Sequence, residues 1–249
     1  MSSASDIHIG CSGYDYPSWH GDFYPPDLPA SKRFTVYART FDCVELNQSF
    51  YRLPSASVIE SWRERAPGGF RYMLKLSRYG THMKHLADPD AWLDRFADRA
   101  RGLGTHAGPI LVQLPPHWKP DPDRLAAFLD AAPAALQWAV EVRDPRWLRE
   151  DIRRLIEDAG ATLVLHDLLP DAPREPVGEW TYVRYHGPDP SHPYRGGYPH
   201  QSLAADARRF APWIRAGRPL HAFFNNDADG FAPRDAQRLR RYLDSALAD

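Results

Sequence analysis

Residues 109–145 read PILVQLPPHWKPDPDRLAAFLDAAPAALQWAVEVRDP, and this stretch decides the fold. Residues 109–114 form a mostly apolar run broken only by Gln113, short enough for a strand buried on both faces, and residues 137–142 form another, with Gln137 and Glu141 its polar members. Between them Asp121-Pro122 opens a segment whose Leu125, Phe128 and Leu129 fall on one stripe, which predicts a helix. Aspartate accepts from the free N–H groups of a first turn. Proline suits that turn because its missing N–H is not needed there. Strand, amphipathic helix, strand is the parallel crossover unit.

The same alternation extends in both directions. Further strand-like runs occupy residues 7–12, 43–47, 71–76, 161–166, 180–186 and 219–225, each bounded by Gly, Pro or Asp. Helix patterns lie between them. Asp88-Pro89 precedes the stripe Trp92, Phe96, Ala100 and Leu103, and Asp144-Pro145 precedes Leu148, Ile152, Leu155 and Ala159, with Gly160 as the C′ residue. Ser57 with Glu60 reads as a capping box ahead of Val58, Ile59, Trp62 and Ala66. Weaker stripes are Phe34/Tyr37/Ala38/Phe41, Leu203/Ala207/Phe210/Ile214 and Leu239/Leu243/Ala246. Eight strand–helix alternations without a linker or repeat predict a single-domain α/β (β/α)8 TIM barrel over residues 1–249, with residues 1–6 a flexible N-terminus. An open doubly wound sheet is the alternative, and the missing Gly-rich dinucleotide turn speaks against it.

Composition narrows the class. The chain has 249 residues, 31 Lys+Arg against 32 Asp+Glu, 24 prolines and two cysteines. The net charge of −1 removes the broad electrostatic drive of indiscriminate nucleic-acid binders. No apolar run approaches the roughly 20 residues of a membrane helix, and no secretory signal is visible, so a cytoplasmic protein without a membrane partner is expected. Two cysteines suffice neither for a disulfide framework nor for a structural zinc site. Much of the proline excess punctuates helix starts. The cationic charge is nearly all arginine, with lysine only at 32, 75, 84 and 119.

Loop lengths point to one face. Helix-to-strand connections are short, as at Asp42, residues 67–70 and Gly160, whereas strand-to-helix connections are long: 13–30, 48–54, 77–88, 167–179, 187–201 and 226–232. In a barrel the long set lies at the C-terminal ends of the strands, where active sites of this fold sit. Strand parity sends polar side chains to that end from every strand. Glu45, Glu141, His186 and His82 are the acid–base candidates. Lys75, Arg143 and Arg184 are candidates for holding an anion, with Asn47, Tyr51, Gln113, Asp167, Asn225 and Asn226 completing the substrate-binding set. A self-satisfied ion network over the core is the competing reading of the same charges.

No cofactor motif is present, and HExxH, CxxC and HxH spacings are missing. Glu45, Glu141, Asp167, His186 and His82 are suitable ligand types, but three nearby cations disfavour a divalent metal, and none is expected. Residues 225–230, NNDADG, lack the distal Glu of a calcium loop and read as a polar turn. Arg195-Gly196-Gly197-Tyr198 is a weak phosphate-turn signal. The loop after the first strand carries Tyr14, Tyr16, Trp19, Phe23 and Tyr24, either rings for stacking on a ligand or a lid packed on the rim.

Gly10-Cys11-Ser12-Gly13 followed by Trp19-His20-Gly21-Asp22-Phe23-Tyr24-Pro25 resembles the opening of the YecE-like family, domain-of-unknown-function family 72. Further matches follow in order: Val44-Glu45-Leu46-Asn47 with Phe50-Tyr51, Lys75, Thr81-His82, and Gln113-Leu114-Pro115-Pro116. Ala139-Val140-Glu141-Val142-Arg143 with Trp147, then 182–187 and Phe224-Asn225-Asn226-Asp227, complete a resemblance that covers essentially the whole chain. Cys11 stands where Thr is more usual, and Asp144-Pro145-Arg146 replaces a His-containing turn. The resemblance implies a TIM barrel and no particular activity. Fold-level likeness to endonuclease IV-type and sugar-isomerase-type barrels makes a phosphate-bearing or nucleic-acid substrate the expectation. The leading expectation is therefore an enzyme acting on an anionic substrate by carboxylate and histidine acid–base chemistry. The alternative is a non-catalytic barrel that binds nucleic acid or protein through the aromatic loop.

Overall fold

The computed structural model describes residues 7–248; residues 1–6, expected as a flexible N-terminus, lie outside the described residues. The chain forms two compact units, one from residues 7–44, 166–170 and 180–248, the other from 45–165 and 171–179. The described residues contain nine strands in three sheets, a mixed α/β architecture in which every recorded pairing between strands is parallel. None of the three sheets closes on itself, so the structure carries the expectation as far as parallel α/β layers and not to a continuous barrel sheet.

In the first unit β1 (Ile7–Cys11), β9 (Leu220–Phe224) and β8 (Thr181–Tyr185) lie side by side, with β7 (Leu165–His166) next in the order. Ile7 is in register with Leu220 and Cys11 with Phe224, and Thr181 and Tyr185 meet the same two residues from the other side. The ladder runs on past the strand ends, where Ser12 N donates to Phe224 O and Asn225 N to Tyr185 O, both at 2.8 Å. Helices α1 (Ala30–Thr40), α7 (His200–Arg215) and α8 (Phe231–Ala248) bury the expected stripes: Phe34 and Tyr37, then Leu203, Ala207, Phe210 and Ile214, then Leu239 and Leu243. The aromatic loop joins this core. Trp19 and Tyr24 are buried, and Trp19 stacks on Tyr37 at 6.3 Å, so the lid reading describes these rings and their faces are spent on packing.

In the second unit the strands run in chain order. β2 (Cys43–Leu46), whose Cys43 and Val44 belong to the first unit, pairs with β3 (Arg71–Leu74), and β4 (Ile110–Gln113) with β5 (Trp138–Glu141) and then β6 (Thr162–Leu163). Isolated bridges Tyr72↔Ala107 and Lys75↔Leu111 tie β3 to the edge of β4. Gln113 and Glu141 are register partners.

The structure corrects several local expectations. The run 161–166 is not one strand, because Val164 separates β6 from β7 while its N–H still donates to Val140 O at 2.9 Å. Helix α3 (Ala56–Arg65) is capped by Ser55, whose hydroxyl accepts from Val58 N at 3.3 Å, rather than by Ser57. Asp88 caps nothing. It adopts left-handed φ 50° with its carboxylate 3.6 Å from Lys84 Nζ, and a 3-10 turn at Pro89–Ala91 precedes α4 (Leu93–Arg101). Asp144 caps only the 3-10 turn Pro145–Trp147, and α6 (Glu150–Asp158) begins later. Asp121 caps α5 (Pro122–Ala131) as expected, accepting from Arg124 N at 3.1 Å. The expected loops also hold short helices: α2 (Gln48–Tyr51) and a π-helical turn at Tyr79–Met83.

Candidate functional site

The first unit assembles Asp167, Arg184, His186 and Ser12 at the C-terminal ends of β7, β8 and β1. His186 Nδ1 lies 3.1 Å from Asp167 Oδ1, and its backbone N–H donates to both carboxylate oxygens at 3.0 and 3.1 Å. Arg184 Nη1 is 3.1 Å from His186 Nε2, and Arg184 Nη2 reaches Ser12 Oγ at 3.5 Å. With Nδ1–H directed at the carboxylate, Nε2 carries the lone pair that the guanidinium meets, which is the neutral tautomer of an oriented base. Tyr198, which sequence reasoning noted only as part of a turn, donates its hydroxyl to Asp167 Oδ2 and accepts from Gly187 N at 2.7 Å. Burial, followed by the Asp167 charge, pushes the Tyr198 phenol well above its usual range, so it stays a donor.

A loop covers this group. His186 is 0% exposed and Arg184 1%, while Asp167 keeps 28% of its side chain open to solvent. The Tyr194 ring lies 5.8 Å from the His186 ring, its N–H donates to His186 O, and its φ of 71° is unusual for a non-glycine residue. Gly187, at φ 124°, has no room for a Cβ, which would lie 2.6 Å from Arg195 O. The Arg195–Tyr198 turn gives its Gly196 N–H to the Asp229 carboxylate at 3.3 Å, so an acid already occupies the supposed phosphate donor. Asn225 is half-buried, and Asn226 is fully buried, its amide donating to Gly196 O at 2.8 Å and Asp235 Oδ2 at 2.9 Å. Asn226 therefore ties two loops together.

The second unit assembles the other candidates. Lys75 Nζ donates to Gln113 Oε1 at 2.6 Å and sits 4.3 Å over the Phe50 ring. Ser49 locks the lysine's backbone, accepting from Lys75 N at 3.1 Å with its hydroxyl 2.7 Å from Lys75 O. Arg143 forms an ion pair with the fully buried Glu141. Glu45 is likewise buried. Among the described residues Asn47 Oδ1 is buried without a hydrogen-bond partner. His82 packs edge-on against Phe50 at 5.0 Å, and burial followed by the charges of Lys75 and Arg78 lowers its pKa to about 4. Tyr51 is 71% exposed. In the same unit a cavity of about 960 Å³ is lined by Gln48, Arg52, Ser77, Tyr79, Trp92 and Arg95 among others, and by none of the expected site residues.

These features define an α/β protein whose parallel strands carry ionisable side chains at their C-terminal ends. The model of the family described as "Protein of unknown function DUF72" matches residues 8–249, and the chain belongs to that family. UPF0759 protein YecE of Escherichia coli (strain K12) is 27% identical over 222 residues, covering 87% of this chain and 69% of that protein. UPF0759 protein YunF of Bacillus subtilis (strain 168) is 33% identical over 69 residues, 28% of this chain and 23% of its own. A DUF72 family crystal structure from Thermotoga maritima has TM-score 0.85 at 24% identity, covering 96% of this chain and 99% of its own. One from Enterococcus faecalis has TM-score 0.77 at 16% identity, covering 96% and 95%. At these identities the two structures speak for the fold. Among the described residues no helix is long and apolar enough to cross a membrane.

Proposed function

We propose that the protein is a cytoplasmic enzyme, built as a single (β/α)8 barrel domain, that acts on a phosphate-bearing small molecule or nucleic acid by acid–base chemistry. The observation that carries this reading is His186 held between Asp167 and Arg184 at strand ends. An anion entering beside Arg184 takes the guanidinium in a charge-assisted pair and leaves the Nε2 lone pair of His186 exposed as a base. Asp167 then stabilises the imidazolium that forms when His186 accepts a proton, and Tyr198 holds Asp167 in place. Because His186 is covered, substrate entry requires the loop bearing Tyr194 to lift.

The barrel reading rests on strand order. β1 pairs with β9, the pairing that closes a parallel sheet of this kind, and the remaining strands follow chain order. The anion reading gains support from the second unit, where cations around His82 oppose its protonation, and where the cavity combines Arg52 and Arg95 with the rings of Tyr79 and Trp92. Glu141 is engaged with Arg143, so in that unit Lys75, Arg143 and Gln113 serve better to hold charge than Glu141 does to move a proton. Both cysteines are free, which suits the cytoplasm. Burial of Trp19 and Tyr24 weakens the alternative in which the aromatic loop stacks on a nucleic-acid partner.

The test is calorimetric titration with inorganic phosphate and with a nucleoside monophosphate. Arg184→Gln is expected to weaken phosphate binding at least tenfold, roughly what the loss of a charge-assisted pair costs. Equal affinity in the folded variant and the wild type would overturn the assignment.

A further inference from the structure

At the opposite ends of the strands in the first unit lies a second cluster that the proposed chemistry does not use. His8, the second residue of β1, is buried, and its Nδ1 is 3.3 Å from Asp42 Oδ2. Cys43, the first residue of β2, is fully buried, and Asp42 immediately before it is half-exposed. One ligand atom from each of the three, a nitrogen, an oxygen and a sulfur, lies within 4.8 Å of the others.

From this geometry we propose that His8, Asp42 and Cys43 form a binding site for a divalent transition metal of the zinc class. With metal–ligand bonds of about 2.0–2.3 Å, the ligand atoms of a tetrahedral site lie roughly 3.3–3.8 Å apart, so small side-chain adjustments close the trio on an ion. The donor set is selective. A thiolate with an imidazole suits zinc, cobalt or nickel, and the hard cations magnesium and calcium prefer an all-oxygen shell. Two buried ligands and one at the surface leave the fourth position to water beside Asp42. The cysteine thiol releases its proton to solvent as the sulfur–metal bond forms.

The surroundings resemble the outer shell of a metal site. Arg240 Nη2 lies 3.7 Å from Asp42 Oδ1 and donates to Ile7 O at 3.2 Å, fixing the carboxylate by one oxygen while the other faces His8. The His8 ring stacks on His221 at 5.4 Å with 13° between planes, and His221 in turn faces Trp180 at 5.8 Å, which sets the imidazole plane. Gly10 opens the space for sulfur, because a Cβ there would lie 3.0 Å from Cys43 Sγ and 2.6 Å from Cys43 O. The thiolate and the carboxylate together offset the charge of a dipositive ion, and Arg240 beside Asp42 leaves the loaded site singly positive.

Titration of the metal-free full chain with cobalt(II), followed by absorbance, tests the site. One equivalent is expected to produce an intense near-ultraviolet thiolate-to-cobalt charge-transfer band, and zinc is expected to abolish it. Cys11→Ser is expected to keep the band and Cys43→Ser to lose it. Because Cys43 is buried, Asp42→Asn provides a surface control. Its far-ultraviolet circular dichroism should match the wild type while cobalt affinity falls at least tenfold. No charge-transfer band in the wild type, a band that survives Cys43→Ser, or unchanged affinity in Asp42→Asn would each overturn the proposal.

Discussion

His82 shows how a single side chain reports on its surroundings. Its pKa is lowered to about 4, by burial first and then by Lys75, Arg78, His85 and Arg143. Between that value and the 6.5 of an unperturbed histidine the unfolded chain binds the extra proton and the folded chain does not. His82 therefore makes the protein less stable as pH falls through this window, and has no such effect above it. At neutral pH the ring is neutral, the state that a general base needs. Lys75→Met is expected to raise the His82 pKa measured by NMR titration, and a value that stays at about 4 would mean burial alone sets it. The sequence named His82 and Lys75 separately. Their coupling was not legible, because the π-helical turn that carries His82 past Phe50 leaves no hydrophobic period to read. Tyr198 escaped for a related reason. Its partner Asp167 is distant in the chain, and nothing local distinguishes a phenol that fixes a carboxylate from one that packs.

At the level of the element, most strands were readable, while of the helix starts only the Asp121 cap of α5 was read correctly among those at Ser57, Asp88, Asp121 and Asp144. A run such as Ile110–Val112 is apolar throughout because both faces are buried, and that signal survives without tertiary information. Caps depend on one hydroxyl in one rotamer, and Ser55 and Ser57 are indistinguishable by type. Ser55→Ala is expected to destabilise the protein by about 1 kcal/mol in urea unfolding, whereas Ser57→Ala should cost only a few tenths. Equal losses would place the cap elsewhere. Ser49→Ala should cost about 1–2 kcal/mol, because its hydroxyl satisfies backbone groups of both β2 and β3 and positions Lys75 between them. The split of the sixth strand at Val164 has no counterpart in residue type, since the whole run 161–166 is buried.

For the whole molecule, the near-zero net charge sets what kind of anion recognition is available. Binding that depends on a few buried cations rather than on a charged surface should respond weakly to salt. A plot of log affinity for single-stranded DNA against log salt concentration is expected to have a slope of about −2 or shallower. A protein engaging six to ten phosphates would give roughly −4 to −7 on single-stranded DNA. A steep slope would point to an extended nucleic-acid track. The pairing of β1 with β9 bears on biosynthesis as well as architecture. Residues 45–165 emerge from the ribosome as nearly all of one unit, and they can fold while synthesis continues. Ile7–Cys11 are made well before their ladder partner Leu220–Phe224. Until that partner is made, β1 carries backbone groups without their final partner, so this strand is a segment in need of chaperoning during synthesis.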